Sequence, residues 1–384
     1  MKATFPTNKF KDIETPFYYY DTPILRDTLE LAEKESSKYG YHIHYAVKAN
    51  ANPRILTIIR EYGLGADCVS GGEIQAALSA GFPADKIVFA GVGKADWEIN
   101  LGLDNNIFCF NAESIPEVKV IDELAGSRGK TARIALRINP EIDAHTHHYI
   151  TTGLKENKFG INLSQLDDVL DVVSSLSHIR LIGIHFHIGS QITDLTAFQA
   201  ACSRMTEVQE HFTKRNIFVE NINFGGGLGI DYRHPDRQIV PDFASYFAIF
   251  NKHFNAMPGQ TLHFEPGRSI VGQCGSLISK VLYVKEGSSK KFAILDAGFT
   301  ELIRPALYGA FHKIENISSD EAADVYDVVG PICESSDCFG KDVELNKVSR
   351  GNLVALRSAG AYGEIMASRY NCRKLPKAYF SDLI

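Results

Sequence analysis

The sequence predicts a (β/α)8 barrel joined to a second, mostly antiparallel β-domain, and three observations carry that expectation. Between residues 22 and 266, eight short, almost continuously apolar runs alternate with helical patterns. Polar or glycine-rich groups follow directly on most of those runs. Past residue 266 the texture changes to Val-, Ile- and Tyr-rich runs separated by turns.

The eight runs are His42–Val47, Gly65–Val69, Ile87–Ala90, Ile107–Phe110, Arg133–Asn139, Leu181–Phe186, Asn221–Phe224 and Thr261–Phe264. Several are too short and too uniformly apolar for amphipathic surface strands, so they read as buried parallel ones. Between them, Gly72–Ala80 follows Ser70, and Ser164–Ser175 opens on a good N-cap before Asp167 and Asp168. Phe198–Lys214 repeats apolar residues at helical spacing. A doubly wound sheet competes with the barrel but needs fewer successive strands. In a barrel the C-terminal strand ends share one face. Lys48-Ala49-Asn50, Ser70-Gly71-Gly72, Asn139-Pro140, His187–Ser190, Gly225–Gly227 and Glu265–Arg268 would then converge on one site.

In the remainder, Leu277–Val284, Phe292–Asp296, Val325–Val329 and Leu353–Leu356 read as strands, with one helix-like stretch near Pro305–Ile314. Pro16–Tyr20 is also strand-like. The expected division is a barrel over 22–266 and a β-domain built from 1–21 and 267–384.

Composition narrows the function. The chain has 384 residues, 45% hydrophobic and 22% charged, with a formal net charge of −6. That is ample material for a core, and no apolar run approaches the ~20 residues of a membrane span. The polar, Pro-broken start lacks a secretory h-region, so a cytoplasmic location is expected. A mildly acidic chain without basic blocks points away from nucleic acid and membrane and toward a small-molecule substrate. Seven scattered cysteines without a C-x-x-C pair read as buried thiols by default, with Cys333 the exception. His145-Thr146-His147-His148 lacks companion ligands at helical spacing and reads as a loop, so no metal is expected.

Four groups carry the chemistry. Lys48 closes an apolar strand, where it either snorkels to solvent or serves as a Schiff-base amine made nucleophilic by desolvation. Asn223-Phe224-Gly225-Gly226-Gly227-Leu228-Gly229 fails the dinucleotide glycine spacing. Three consecutive glycines after a strand can instead form a phosphate-holding nest of N–H groups, or simply a tight turn. His187 offers a flat ring for stacking, unless it is only a core histidine, and Ser190 adds a donor. Glu265 either pairs with its neighbour Arg268 or holds a pyridine nitrogen protonated. Together the four describe pyridoxal 5′-phosphate. In the β-domain, Arg304 and Tyr308 lie four apart, and Arg is the natural fork for a carboxylate. Cys333 beside Glu334 suggests a proton donor next to an ammonium binder, and Tyr362 sits among small residues.

With these motifs in order, YYYD near residue 20, then YAVKAN, DCVSGGE, HIGSQ, GGGLG, EPGRS, GPICESSD and AGAYGEIMAS, the chain resembles the fold-type III (alanine-racemase-like) pyridoxal-phosphate-dependent amino-acid decarboxylases. GPICESSD, AGAYGEIMAS and RPALYGA place the resemblance with the diaminopimelate decarboxylase branch, rather than with the ornithine, arginine or carboxynorspermidine decarboxylases or a non-catalytic binding protein. The resemblance implies that Lys48 carries the cofactor and that His187 stacks on its ring. It implies that Ser190, Gly225, Gly226, Gly227 and Arg268 surround the phosphate and that Glu265 meets the pyridine nitrogen. Arg268, Arg304 and Tyr308 match substrate-carboxylate positions, Glu334 an ammonium position, Tyr362 a shared position and Cys333 the proton donor. It further implies a homodimer with shared sites, and decarboxylation of meso-2,6-diaminopimelate to L-lysine.

Overall fold

The computed structural model describes residues 5–142 and 158–384. The His145–His148 cluster lies outside them. Two compact units emerge, one of Leu29–Gly229 and Asp242–Gly267, the other of Met1–Thr28, Ile230–Pro241 and Arg268–Ile384.

After β1 (Phe17–Tyr20), which belongs to the second unit, come β2 (His42–Ala46), β3 (Gly65–Cys68), β4 (Ile87–Phe89), β5 (Cys109–Ala112), β6 (Ala132–Arg137), β7 (Ile179–His185), β8 (Asn221–Asn223) and β9 (Thr261–Phe264). These eight close in sequence order into a parallel barrel. The ring is sealed where β9 returns to β2, with His42 opposite His263 and Ile43 opposite Phe264. Closure decides against the doubly wound sheet.

The helices begin where the sequence supplies caps. Ser70 accepts from the Glu73 amide at 3.2 Å, and the Glu73 carboxylate accepts in turn from Val69 N at 2.8 Å, satisfying two otherwise orphaned donors. Ser114 and Asp242 cap the helices Ile115–Ser127 and Phe243–His253 in the same way. The latter helix lays Phe250 against Phe264 of β9 and Phe224 just past β8, ring centroids 4.7 and 4.8 Å apart. The ends of β8 and β9 approach closely: a side chain at Gly226 would start 2.2 Å from the Glu265 carbonyl oxygen, so only glycine fits.

The second unit holds β10 (Gly275–Glu286), β11 (Lys291–Leu295), β12 (Ile314–Asn316), β13 (Ala323–Val329), β14 (Cys338–Asn346), β15 (Leu353–Leu356) and β16 (Lys377–Phe380). Their order is β12-β15-β10-β11-β13-β14, with β1 joining β10 and β16. All pairings are antiparallel except β11 with β13 and β1 with β16. Phe10, Phe17, Tyr19, Ile278 and Leu353 pack as one buried cluster of this unit. The helix expected over Pro305–Ile314 is shorter, Arg304–Tyr308. Gly309 stops it in the left-handed conformation (φ 61°), and Ile314 opens a strand instead. Residues 230–241 are pinned by Arg357, which pairs with Asp236 at 2.9 Å and Glu315 at 2.6 Å. Among the described residues no helix is long and apolar enough to cross a membrane.

Candidate active site

In the barrel unit, Lys48 lies in the single helical turn Val47–Ala49 that follows β2. Its side chain is 38% exposed, and Nζ stands 3.8 Å from Asp67 Oδ2. Asp67, on β3, is buried, and neither carboxylate oxygen has a hydrogen-bond partner. Burial and the nearby charge of Glu265 push the Asp67 carboxyl well above the ordinary range.

Glu265 follows β9 and is buried with three donors around it. Asn223 Nδ2 and Asn111 Nδ2 approach Oε1 at 2.7 and 3.3 Å, and His185 Nε2 lies 3.0 Å from Oε2. Burial alone would raise this carboxyl, but His185 and the Lys48 ammonium outweigh it and hold the group ionised, below the usual carboxylate range. Neither Asn223, Asn111 nor His185 was singled out in the sequence. A period-2 reading of the barrel strands, which puts alternate residues inside, is the signal that could have found them.

His187 is held neutral, its pKa well below the ordinary value through burial and then the Lys48 and Arg137 cations. Its Nδ1 accepts from Gly226 N at 3.3 Å, and Gly225 N donates to Asn223 Oδ1 at 2.8 Å. The nest of three amides expected at Gly225–Gly227 is therefore not all open: two of its N–H groups are engaged within the barrel. Ser190 lies three residues past His187, half-buried.

A second cluster forms in the β-unit. Arg268 and Arg304 are both buried, and the Nη1 of each donates to the Tyr232 hydroxyl, at 2.6 and 3.0 Å. The Tyr362 ring lies under the Arg268 guanidinium at 4.9 Å, and Tyr308 ends the short helix that Arg304 begins. Tyr232 was missed because an isolated tyrosine after a glycine run carries no pattern of its own.

Cys333 and Glu334 lie on an exposed turn of the same unit. The Glu334 carboxylate accepts from Tyr370 Oη at 2.8 Å. Buried Asp337 fastens the turn, accepting from Ile332 N and Phe299 N at 2.7 Å each. Four cysteines are buried, but Cys372 is exposed like Cys333, and Cys338 is half-buried. Among the described residues no group of three or more His, Cys, Asp or Glu is placed to hold a metal.

The barrel donor set fits pyridoxal phosphate. An ionised carboxylate fixed by three donors suits a protonated pyridine nitrogen, a neutral imidazole suits an aromatic face, and a half-exposed lysine amine lies beside a carboxyl whose buried oxygens lack partners.

Comparison with known proteins bears on this set. The family profile described as pyridoxal-dependent decarboxylase, pyridoxal binding domain, matches residues 25–272. The chain is 67% identical over 383 residues to a diaminopimelate decarboxylase of Bacteroides thetaiotaomicron, covering 100% of this chain and 99% of the relative. It is 41% identical to one from Aquifex aeolicus, over 94% of this chain and 84% of the other. The crystal structure of the Helicobacter pylori diaminopimelate decarboxylase complexed with L-lysine superposes with a TM-score of 0.91 at 40% identity, covering 97% and 93% of the two chains.

Proposed function

Since the chain belongs to the pyridoxal-dependent decarboxylases, and within them to the diaminopimelate decarboxylases, we propose that it removes CO2 from meso-2,6-diaminopimelate to form L-lysine, a step of lysine biosynthesis. The observation that carries the reading is the Glu265 carboxylate, buried, ionised and held by Asn111, His185 and Asn223 in the same barrel as Lys48.

When bound, pyridoxal phosphate supplies an aldehyde that combines with amines and a protonated pyridine ring that accepts the electron pair released with CO2. The chain's own residues do the rest. Lys48 Nζ would hold the cofactor through its aldehyde carbon, and Asp67, 3.8 Å from that nitrogen, would be the group placed to exchange a proton with it. Glu265 keeps the proton on the pyridine nitrogen. His187, neutral, would offer its flat face to the ring without adding a competing charge. Ser190 and the Gly227 end of the glycine turn, in which the amides of Gly225 and Gly226 are already engaged, would hold the phosphate with Arg268. Arg304, Arg268, Tyr308 and Tyr362 take the substrate carboxylate that stays on the product, and Glu334 takes the ammonium beside it. Cys333 Sγ then gives a proton to the carbon that has lost CO2.

Selectivity follows from the retained end of the substrate. Ornithine lacks the distal carboxylate and leaves the Arg304 guanidinium unmet, at a cost of about 1–3 kcal/mol per buried group. Exposure of Cys333 and Glu334 on their own chain supports a homodimer in which this turn completes the partner's site. The exposed Leu307, Phe311, Ile365 and Tyr370 side chains of the same unit suit a protein–protein interface. A biosynthetic role of this kind fits the cytoplasm.

The test is CO2 release by the pyridoxal-phosphate-loaded protein from meso-diaminopimelate, ornithine, arginine and carboxynorspermidine. Release from diaminopimelate alone is expected. Preference for any of the other three would overturn the roles given to Arg304, Tyr308 and Glu334.

A further inference from the structure

Arg304 is buried, and both of its side-chain hydrogen bonds among the described residues run through one nitrogen. Nη1 donates to Tyr232 Oη at 3.0 Å and to His312 Nε2 at 2.9 Å. An Nη carries two hydrogens, so this pair of acceptors uses it fully. Arg304 Nε, by contrast, is buried with no partner. Nε–H and the nearer N–H of Nη2 form the second fork of a guanidinium, the one that grips a carboxylate side-on.

We propose that Tyr232 and His312 are positioning residues that lock Nη1 of Arg304 and so leave its Nε–Nη2 edge as the fork for the substrate's retained carboxylate. The inference rests on the reading of Arg304 given above and adds the two residues that set its orientation.

Each acceptor is itself fixed. A guanidinium only donates, so His312 Nε2 must be the unprotonated nitrogen. Its Nδ1–H is then committed to the Arg357 carbonyl at 2.9 Å. Burial, then the Arg304 charge, pushes the His312 pKa down to about 3, which keeps that acceptor available at any working pH. Tyr232 stands edge-on to the His312 ring, centroids 5.2 Å apart. Its oxygen also receives Arg268 Nη1 at 2.6 Å, so one phenol ties the two arginines together. Burial would make the phenol harder to ionise, but the two guanidiniums that donate to its oxygen outweigh it and draw its pKa below the ordinary value. The segment bearing Tyr232 is tethered in turn by the Asp236–Arg357 pair, whose arginine supplies the His312 carbonyl.

Tyr232→Phe keeps the ring and removes the shared oxygen. With meso-diaminopimelate, KM is expected to rise about 10- to 100-fold while kcat stays within about threefold, because the lost orientation concerns the non-reacting end. L-Lysine and cadaverine, tested as inhibitors, separate positioning from general damage. Lysine keeps the carboxylate and should lose affinity in parallel with KM. Cadaverine has none and should be unaffected. His312→Leu should repeat the pattern, and His312→Gln, whose amide oxygen again offers an acceptor, should recover most of the loss. Tyr283→Phe on the exposed part of β10 is the matched control and should change nothing.

An unchanged KM in Tyr232→Phe, an equal loss of lysine and cadaverine binding, or equal defects in the two His312 variants would overturn the proposal. A wild-type protein that releases no CO2 from diaminopimelate would overturn the functional reading instead.

Discussion

Replacing Glu265 with Gln removes one charge at almost constant shape, and the structure indicates how little else it changes. Asn223 Nδ2 and Asn111 Nδ2 both approach Oε1, an acceptor that glutamine keeps. The third neighbour, His185, meets Oε2 through Nε2, while its Nδ1 is buried without a partner. Moving the imidazole proton to Nδ1 lets Nε2 accept from the new amide, so all three bonds survive in altered form. Stability should therefore fall by no more than about 1–2 kcal/mol. The catalytic loss is larger, because a buried preorganised charge acts on the developing electron pair without solvent screening. Effects of this type cost about 10²–10³ in kcat, or about 2.7–4 kcal/mol. Steady-state CO2 release from meso-diaminopimelate, run beside thermal unfolding of the same preparations, separates the two quantities. A Glu265→Gln enzyme with kcat within about threefold of wild type, folded and loaded with cofactor, would refute the assignment of Glu265 to the pyridine nitrogen.

Acid should loosen the barrel earlier than carboxylate protonation alone would. His44, His187 and His263 all have depressed pKa values, His44 down to about 4, with burial the first cause in each. Folded-state values below the ordinary ~6.5 mean that the unfolded chain binds protons first as pH falls. Stability is then full above pH ~6.5 and drops below it by up to about 1.4 kcal/mol per pH unit for each histidine. Urea midpoints that stay level between about pH 7 and 5 would contradict this. Phe250→Ala should cost about 3–5 kcal/mol by urea denaturation, since its ring lies within 4.8 Å of Phe224 and 4.7 Å of Phe264, and a loss under about 1 kcal/mol would show the site collapsing around the cavity. Mixing and reassembling inactive Lys48→Ala and Cys333→Ala proteins should restore part of the activity if each site takes its thiol from the partner. No restoration, with mixed dimers demonstrated, argues for sites built within one chain.

The barrel was legible because parallel strands buried on both faces leave uniform apolar runs, and each of the eight appears within a few residues of its expected place. The second unit was less so. In β14, Gly340, Lys341 and Asp342 interrupt the apolar pattern, and the short helix after Arg304 yields to a strand at a glycine whose left-handed φ is set by local geometry. For the site, residues with unusual chemistry at strand ends stood out: Lys48, His187, Glu265 and the glycine run. Their supports did not. Asp67, Asn111, His185 and Asn223 are ordinary polar residues whose importance comes from facing the barrel interior, and Tyr232 and His312 meet Arg304 only through folding. The amides of Gly225 and Gly226 show the converse. The run was recognisable, but its engagement with Asn223 of β8 and with His187 just past β7 arises only in the closed barrel.

The account turns on one amine. Loading the protein with pyridoxal phosphate, reducing it with borohydride and mapping the peptides by mass should place a single phosphopyridoxyl group on Lys48, with none acquired by Lys48→Ala. A group fixed to a different lysine, or retained when Lys48 is gone, would contradict the assignment of the cofactor to this end of the barrel.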